Sequence, residues 1–271
     1  MPYVEVDGIR LFYERTGEGV PLILHAHHHT AWMVYQVPYF SQFYEVIVFD
    51  RRGTGRSDDP PGPWTAADLA ADIRRLMDGL GIDRAIVGGN SLGGVVTAQF
   101  GLDYPERAFA LVIGHTVPYL WPLAREWLEE QIDLALRGEP AVVYQPRSFA
   151  WEEQGPPTIR PGFPETAEGR FWATLDRALG RSPEGRVKSL QVLAGWDLRH
   201  RFPELRRLSL PTLVIVGANE PQKTIELAYE WHLQYANSEF VILPETHHAA
   251  AIENPVGWNR AVHGFLQRHG F

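Results

Sequence analysis

Ala85-Ile86-Val87-Gly88-Gly89-Asn90-Ser91-Leu92-Gly93-Gly94-Val95-Val96 is the stretch on which the fold turns. Ala85 to Gly88 is a short apolar run, the signature of a strand buried on both faces of a parallel sheet. Leu92 to Leu102 reads as a helix closed before Pro105. Between them lies Gly89-Asn90-Ser91-Leu92-Gly93, a Gly-x-Ser-x-Gly turn in the strand-to-helix context that gives the spacing meaning. So sharp a turn puts Ser91 in a strained backbone conformation. It also requires Gly89 and Gly93 to be small, because strand and helix crowd each other there. The Ser91 hydroxyl then stands at the carboxyl end of a strand, where open α/β sheets hold ligands, with a helix N-terminus favouring negative charge. A bystander serine in a Gly-rich turn would show the same five residues. The elements on either side favour a nucleophile.

Similar β-rich runs flank this stretch: Tyr3–Val6, Arg10–Tyr13, Leu22–His25, Val46–Asp50, Leu111–Gly114, Leu213–Val216 and Phe240–Leu243. The first two surround Asp7-Gly8 and read as an antiparallel hairpin; the others are continuous apolar runs. Helical patterns lie between. Thr65-Ala66-Ala67-Asp68 resembles a capping box, followed by Leu69, Ile73, Leu76 and Leu80, with Gly79 and Gly81 at the end. A third helix is expected over residues 224–235. A last one starts at Asn254-Pro255, with Trp258, Val262, Phe265 and Leu266 on one face. The alternation predicts an α/β fold with an eight-stranded, mostly parallel sheet flanked by helices. Residues 1–115 and 209–271 form its core. Residues 116–208 hold no buried-strand run but five of the nine tryptophans (Trp121, Trp127, Trp151, Trp172 and Trp196), and read as a helical cap inserted after the sixth strand.

Composition excludes several function classes. The chain of 271 residues carries a net charge of −8 and no Lys/Arg run, so it lacks the footprint of a nucleic-acid binder. The absence of cysteine removes disulfides, thiolate metal sites and a Cys nucleophile. Apolar runs of about six residues are too short for a membrane span. Met1-Pro2-Tyr3-Val4-Glu5 is no signal peptide start, so a cytoplasmic protein is expected. The unusual feature is eleven histidines, four of them in His25-Ala26-His27-His28-His29.

The order of motifs resembles that of the α/β-hydrolase superfamily. Asp50-Arg51-Arg52-Gly53-Thr54-Gly55-Arg56-Ser57 is similar to the turn after that family's fourth strand. Gly89 to Gly94 resembles its nucleophile elbow, followed by Tyr104-Pro105-Glu106-Arg107. Residues 210–217 resemble the strand before the catalytic acid, and His248 to Pro255 the stretch around the catalytic histidine. The resemblance implies a triad of Ser91, Glu220 and His248. A serine hydroxyl needs a base, and the base needs a carboxylate to hold its tautomer. His247 is the neighbour to be distinguished from His248; the spacing to Glu253-Asn254-Pro255 favours His248. Glu220 stands where many members carry Asp. Some members place the acid after the sixth strand instead, but Gly114-His115-Thr116-Val117 has no carboxylate there. The alternative role of Glu220 is a carboxylate at a helix start.

The oxyanion hole is expected from the backbone N–H of Leu92 and, by the match of His25 to the family's segment after the third strand, that of His27. Ala26 departs from the Gly usual there. His28, Asn90 and Trp121 are candidates for substrate contact. A zinc site in the histidine cluster is the competing reading. Consecutive side chains diverge and no Asp-His pair follows Thr30, so no metal and no cofactor are expected. The aromatic cap favours a small apolar substrate, and a monomer or homodimer is expected. The resemblance implies a serine hydrolase acting on a carboxylic ester or lactone. The alternatives are a carbon–carbon bond hydrolase of aromatic ring-fission products, whose elbow is similar, and a non-hydrolytic ligand-binding protein or cofactor-independent oxygenase.

Overall fold

The computed structural model describes residues 2–26, 30–139, 159–179 and 183–271. Among these, eight strands form one sheet: β1 (Tyr3–Val6), β2 (Ile9–Thr16), β3 (Pro21–His25), β4 (Glu45–Phe49), β5 (Ala85–Asn90), β6 (Ala108–Gly114), β7 (Thr212–Gly217) and β8 (Ser238–Leu243). Their order is β1-β2-β4-β3-β5-β6-β7-β8. β1 with β2 and β2 with β4 are antiparallel, and every later pairing is parallel. The β3–β4 and β3–β5 registers align Ile23 with Ile47 and Val87, so alternate residues make two separate cores. On one face Ile23, Ile47, Val87 and Leu111 pack with Leu69, Ile73, Val95 and Phe100. On the other, Leu22, Val46, Ile86 and Val112 pack with Phe40, Trp258, Val262 and Phe265. Helices therefore cover both faces, which is why the central strands are apolar throughout.

The helix ends follow local chemistry. Thr65 caps the helix Ala66–Leu80: its hydroxyl accepts from Asp68 N–H at 3.2 Å, and Asp68 accepts from Thr65 N–H at 2.8 Å. Gly81 closes that helix at φ +69°. Asn254 caps Pro255–Arg268 by accepting from Gly257 N–H at 3.0 Å. One expectation is corrected: β8 is not buried on both faces. It is an edge strand, paired on one side to β7, and Ile242 is 47 % exposed. A continuous apolar run does not by itself distinguish an edge from the middle of a sheet.

Between β6 and β7 the described residues form helices, Pro122–Leu136, Ala167–Leu179 and Pro183–Ala194 the longest, with one isolated bridge between Tyr119 and Asp197. Trp196 Nε1–H donates to the Val117 carbonyl at 2.9 Å, Lys188 pairs with Asp59 at 2.6 Å, and Arg201 pairs with Asp103 at 2.5 Å. Trp172 and Trp196 are buried, whereas Trp121 and Trp127 are half-buried; Trp151 lies outside the described residues. Among the described residues no helix is long and apolar enough to cross a membrane.

Candidate active site

β5 runs into the helix Leu92–Asp103 with Ser91 between them at φ +56°, ψ −122°, a conformation a non-glycine residue adopts only under constraint. Two glycines supply the constraint. A Cβ on Gly93 would stand 2.4 Å from the His25 carbonyl oxygen, and one on Gly89 2.6 Å from the Gly93 carbonyl carbon. Both obstacles are backbone, so neither moves aside. Ser91 N–H donates to the Gly114 carbonyl at 2.9 Å, pinning the turn to the end of β6. Leu92 is buried and opens the helix, whose first amides have no intrahelical acceptor. Ser91 itself stays partly exposed.

Glu220 and His248 come from the loops after β7 and β8. Gly217 lets those loops meet: a Cβ there would lie 2.1 Å from the Thr246 carbonyl oxygen. Asn219 N–H donates to that same carbonyl at 2.9 Å. His248 Nδ1–H donates to Glu220 Oε2 at 3.2 Å. The Glu220 carboxylate is buried (1 % exposed), whereas the His248 side chain is 34 % exposed. Glu220 turns toward the Gly217 N–H at 3.2 Å and the histidines, with Pro221 standing between it and the helix Gln222–His232. Burial pushes the Glu220 carboxyl up. The charge and hydrogen bond of His115, with those of His248, outweigh it and hold Glu220 far below the usual carboxylate range. Burial pushes His248 down, but the hydrogen bond and charge of Glu220, with the charge of Glu253, leave it above the ordinary imidazole value. No hydrogen bond joins Ser91 Oγ to His248 among the described residues; such bonds often tighten only once substrate is bound.

His247 is a different residue in every respect. It is buried, its Nδ1 lies 3.3 Å from Glu253 Oε2, and its N–H donates to Glu253 Oε1. Glu253 also accepts the Arg160 N–H at 2.9 Å, so one carboxylate spans the histidine loop and the β6–β7 insertion. The sequence offered Glu253 only as a spacing mark.

His115 brings no carboxylate of its own but reaches that of Glu220. Its φ is +53°, its side chain is buried, and its Nδ1–H donates to Glu220 Oε1 at 2.5 Å. Its ring centroid lies 6.0 Å from that of His248, at 80°. The available signal was position, since the residue after the sixth strand is where the family resemblance allows an acid.

The other candidates divide. Asn90 Oδ1 is buried against Gly114, where a Cβ would stand 2.0 Å from it. Trp121 is the half-buried residue preceding Pro122–Leu136. His27, His28 and His29 lie outside the described residues. His25 is fully buried; its Nε2 is 3.0 Å from Thr97 Oγ1, its ring stacks on Phe49, and burial with the charge of Arg51 pushes it down to about 3. That ring packs in the core against Phe49. Among the described residues no group of three or more His, Asp or Glu is arranged to hold a metal ion.

Comparisons with known proteins bear on the fold. The chain is 30 % identical over 237 residues to 3-oxoadipate enol-lactonase 2 of Acinetobacter baylyi, covering 86 % of this chain and 82 % of that one. It superposes on a thermophilic esterase from Thermogutta terrifontis with a TM-score of 0.79 at 27 % identity, covering 100 % of this chain and 98 % of that one. An enol-lactonase from Burkholderia xenovorans LB400 shares the fold, with a TM-score of 0.78 at 24 % identity over 98 % of this chain and all of that one. Residues 22–255 match the family described as alpha/beta hydrolase fold, and the chain belongs to that family.

Proposed function

We propose that the protein is a serine hydrolase that cleaves a carboxylic ester or lactone of a small apolar molecule through an acyl-enzyme on Ser91. The observation that carries this reading is the strained Ser91 turn at φ +56° at the same carboxyl end of the sheet as the loops that pair His248 with the buried Glu220 carboxylate. The Ser91 hydroxyl attacks the carbonyl and His248 takes its proton. Glu220 holds the imidazole with Nδ1 protonated, leaving Nε2 as the base, and stabilises the imidazolium that forms. The Leu92 N–H stabilises the tetrahedral oxyanion, with the second donor assigned to the N–H of His27. His248 then protonates the leaving alcohol, and water releases the acyl group by the reverse sequence of proton transfers. The relatives named for ester and lactone cleavage support this bond class over a carbon–carbon bond. Residues 116–208 act as the cap, and their half-buried tryptophans, Trp121 and Trp127, supply an apolar roof.

A fluorophosphonate probe should label Ser91, identified by peptide mass. Ser91→Ala should lose about four to six decades in kcat toward whichever p-nitrophenyl ester or lactone is turned over. Undiminished ester hydrolysis in that variant would sink the assignment.

A further inference from the structure

The Glu220 carboxylate meets two imidazoles, and acyl transfer needs only one. Oε2 accepts from His248 at 3.2 Å; Oε1 accepts from His115 at 2.5 Å and from Gly217 N–H at 3.2 Å. The shorter bond therefore goes to the residue with no step in the reaction. His115 is held in a costly state to make it. Its φ of +53° is left-handed for a non-glycine residue, and its Nε2 is buried without a hydrogen-bond partner among the described residues. Its N–H on the Ile215 carbonyl at 2.8 Å locks it to the end of β7, the strand that delivers Glu220.

We infer that His115 is a positioning residue for the proposed triad, clamping Oε1 of Glu220 so that Oε2 alone faces His248. Glutamate has one more rotatable bond than aspartate, and a loop carboxylate held only through His248 would swing. With Oε1 filled by His115 and Gly217, no rotation keeps those bonds and moves Oε2. The same clamp explains why a longer acid works at this position. The inference rests on the proposed function, because a clamp on the acid matters only if the acid orients a base.

Among the described residues the groups facing His248 are Glu220, the His115 ring and the charge of Glu253. Releasing Oε1 weakens the Glu220 bond that holds His248 up, so the acid limb of the kcat/KM profile should move to lower pH as kcat falls. His115→Ala should lower kcat about 10- to 100-fold with KM little changed, a fraction of the cost of misorienting the base altogether. His115→Asn places an amide N–H at the same bond count from Cβ and tolerates a positive φ, so it should restore both kcat and the pH limb. If the alanine variant melts early, His115→Gly removes the donor and relieves the backbone.

Rates are read per active site, titrated with the fluorophosphonate probe, and folding is checked by thermal melt. A wild-type protein that the probe does not label at Ser91 overturns the hydrolase reading. A labelled wild type whose donor-less variants keep its kcat and pH limb overturns the clamp alone. So does an asparagine variant no better than alanine or glycine.

Discussion

Glu220 is the residue on which the site's electrostatics converge. A buried carboxylate is unfavourable unless its charge is matched, and here the histidine loop, the end of β6 and the Gly217 amide all contribute. Removing it withdraws the hold on His248 but leaves the Ser91 turn and the Leu92 amide in place. Glu220→Ala should therefore cost fewer decades in kcat than Ser91→Ala, on the order of two to four, as orienting acids do. Steady-state kinetics of the two variants on one substrate checks the order, and a silent Glu220→Ala would move the acid elsewhere. The pH profile carries a second expectation. His248 must be neutral to act as a base, and its protonation is favoured by Glu220, so activity should fall as pH drops through a value above that of a free imidazole. A kcat/KM acid limb at or below about 6.5 would contradict it. The proposed triad residues were read from the family resemblance, in which each sits in a short motif at a strand end. His115 was not, because imidazole is not the residue type for which that position is searched.

At the scale of elements, the Ser91 turn is a three-way contact among β5, the helix after it and the end of β3. Gly93 is where they touch, with the His25 carbonyl 2.4 Å from where a side chain would begin. Gly93→Ala should destabilise the fold by about 1–3 kcal/mol or more through a backbone clash that no rotamer relieves. Urea unfolding measures this, and a change within a few tenths of a kcal/mol would show that β3 shifts freely. The strands and the principal helices on the core were readable from period and caps: Thr65-Ala66-Ala67-Asp68 is a capping box in sequence and in space. What periodicity did not disclose was rank within the sheet. β8 carries an apolar run yet lies at the edge, because its place follows from the order in which crossovers return to the sheet.

Across the whole molecule, histidine burial couples folding to pH. His25 is neutral in the core and pushed down to about 3, below its ordinary 6.5. The unfolded chain binds a proton there that the folded one refuses. The contribution is thus full above pH 6.5 and lost as pH falls toward 3. Between pH 7 and pH 5 it amounts to about 2 kcal/mol. His25→Gln should lose about that much less stability over the same interval in urea unfolding. Equal losses in both proteins would show that the ring takes up a proton in place. The β6–β7 insertion is tied to the core by contacts far apart in sequence: Lys188 to Asp59, Arg201 to Asp103, and Glu253 bridging Arg160 and His247.

By itself the sequence determined the strands, the principal helices and the Ser91 turn. Each of these rests on spacing within a few residues, where backbone sterics and hydrophobic period act directly. Only the tertiary structure decided that His248 rather than His247 faces Glu220, that the His25 ring belongs to the core, and that His115 holds the other oxygen of the acid. Those outcomes depend on pairs such as His115 and Glu220, 105 residues apart, whose meeting is set by the return of β7 beside β6.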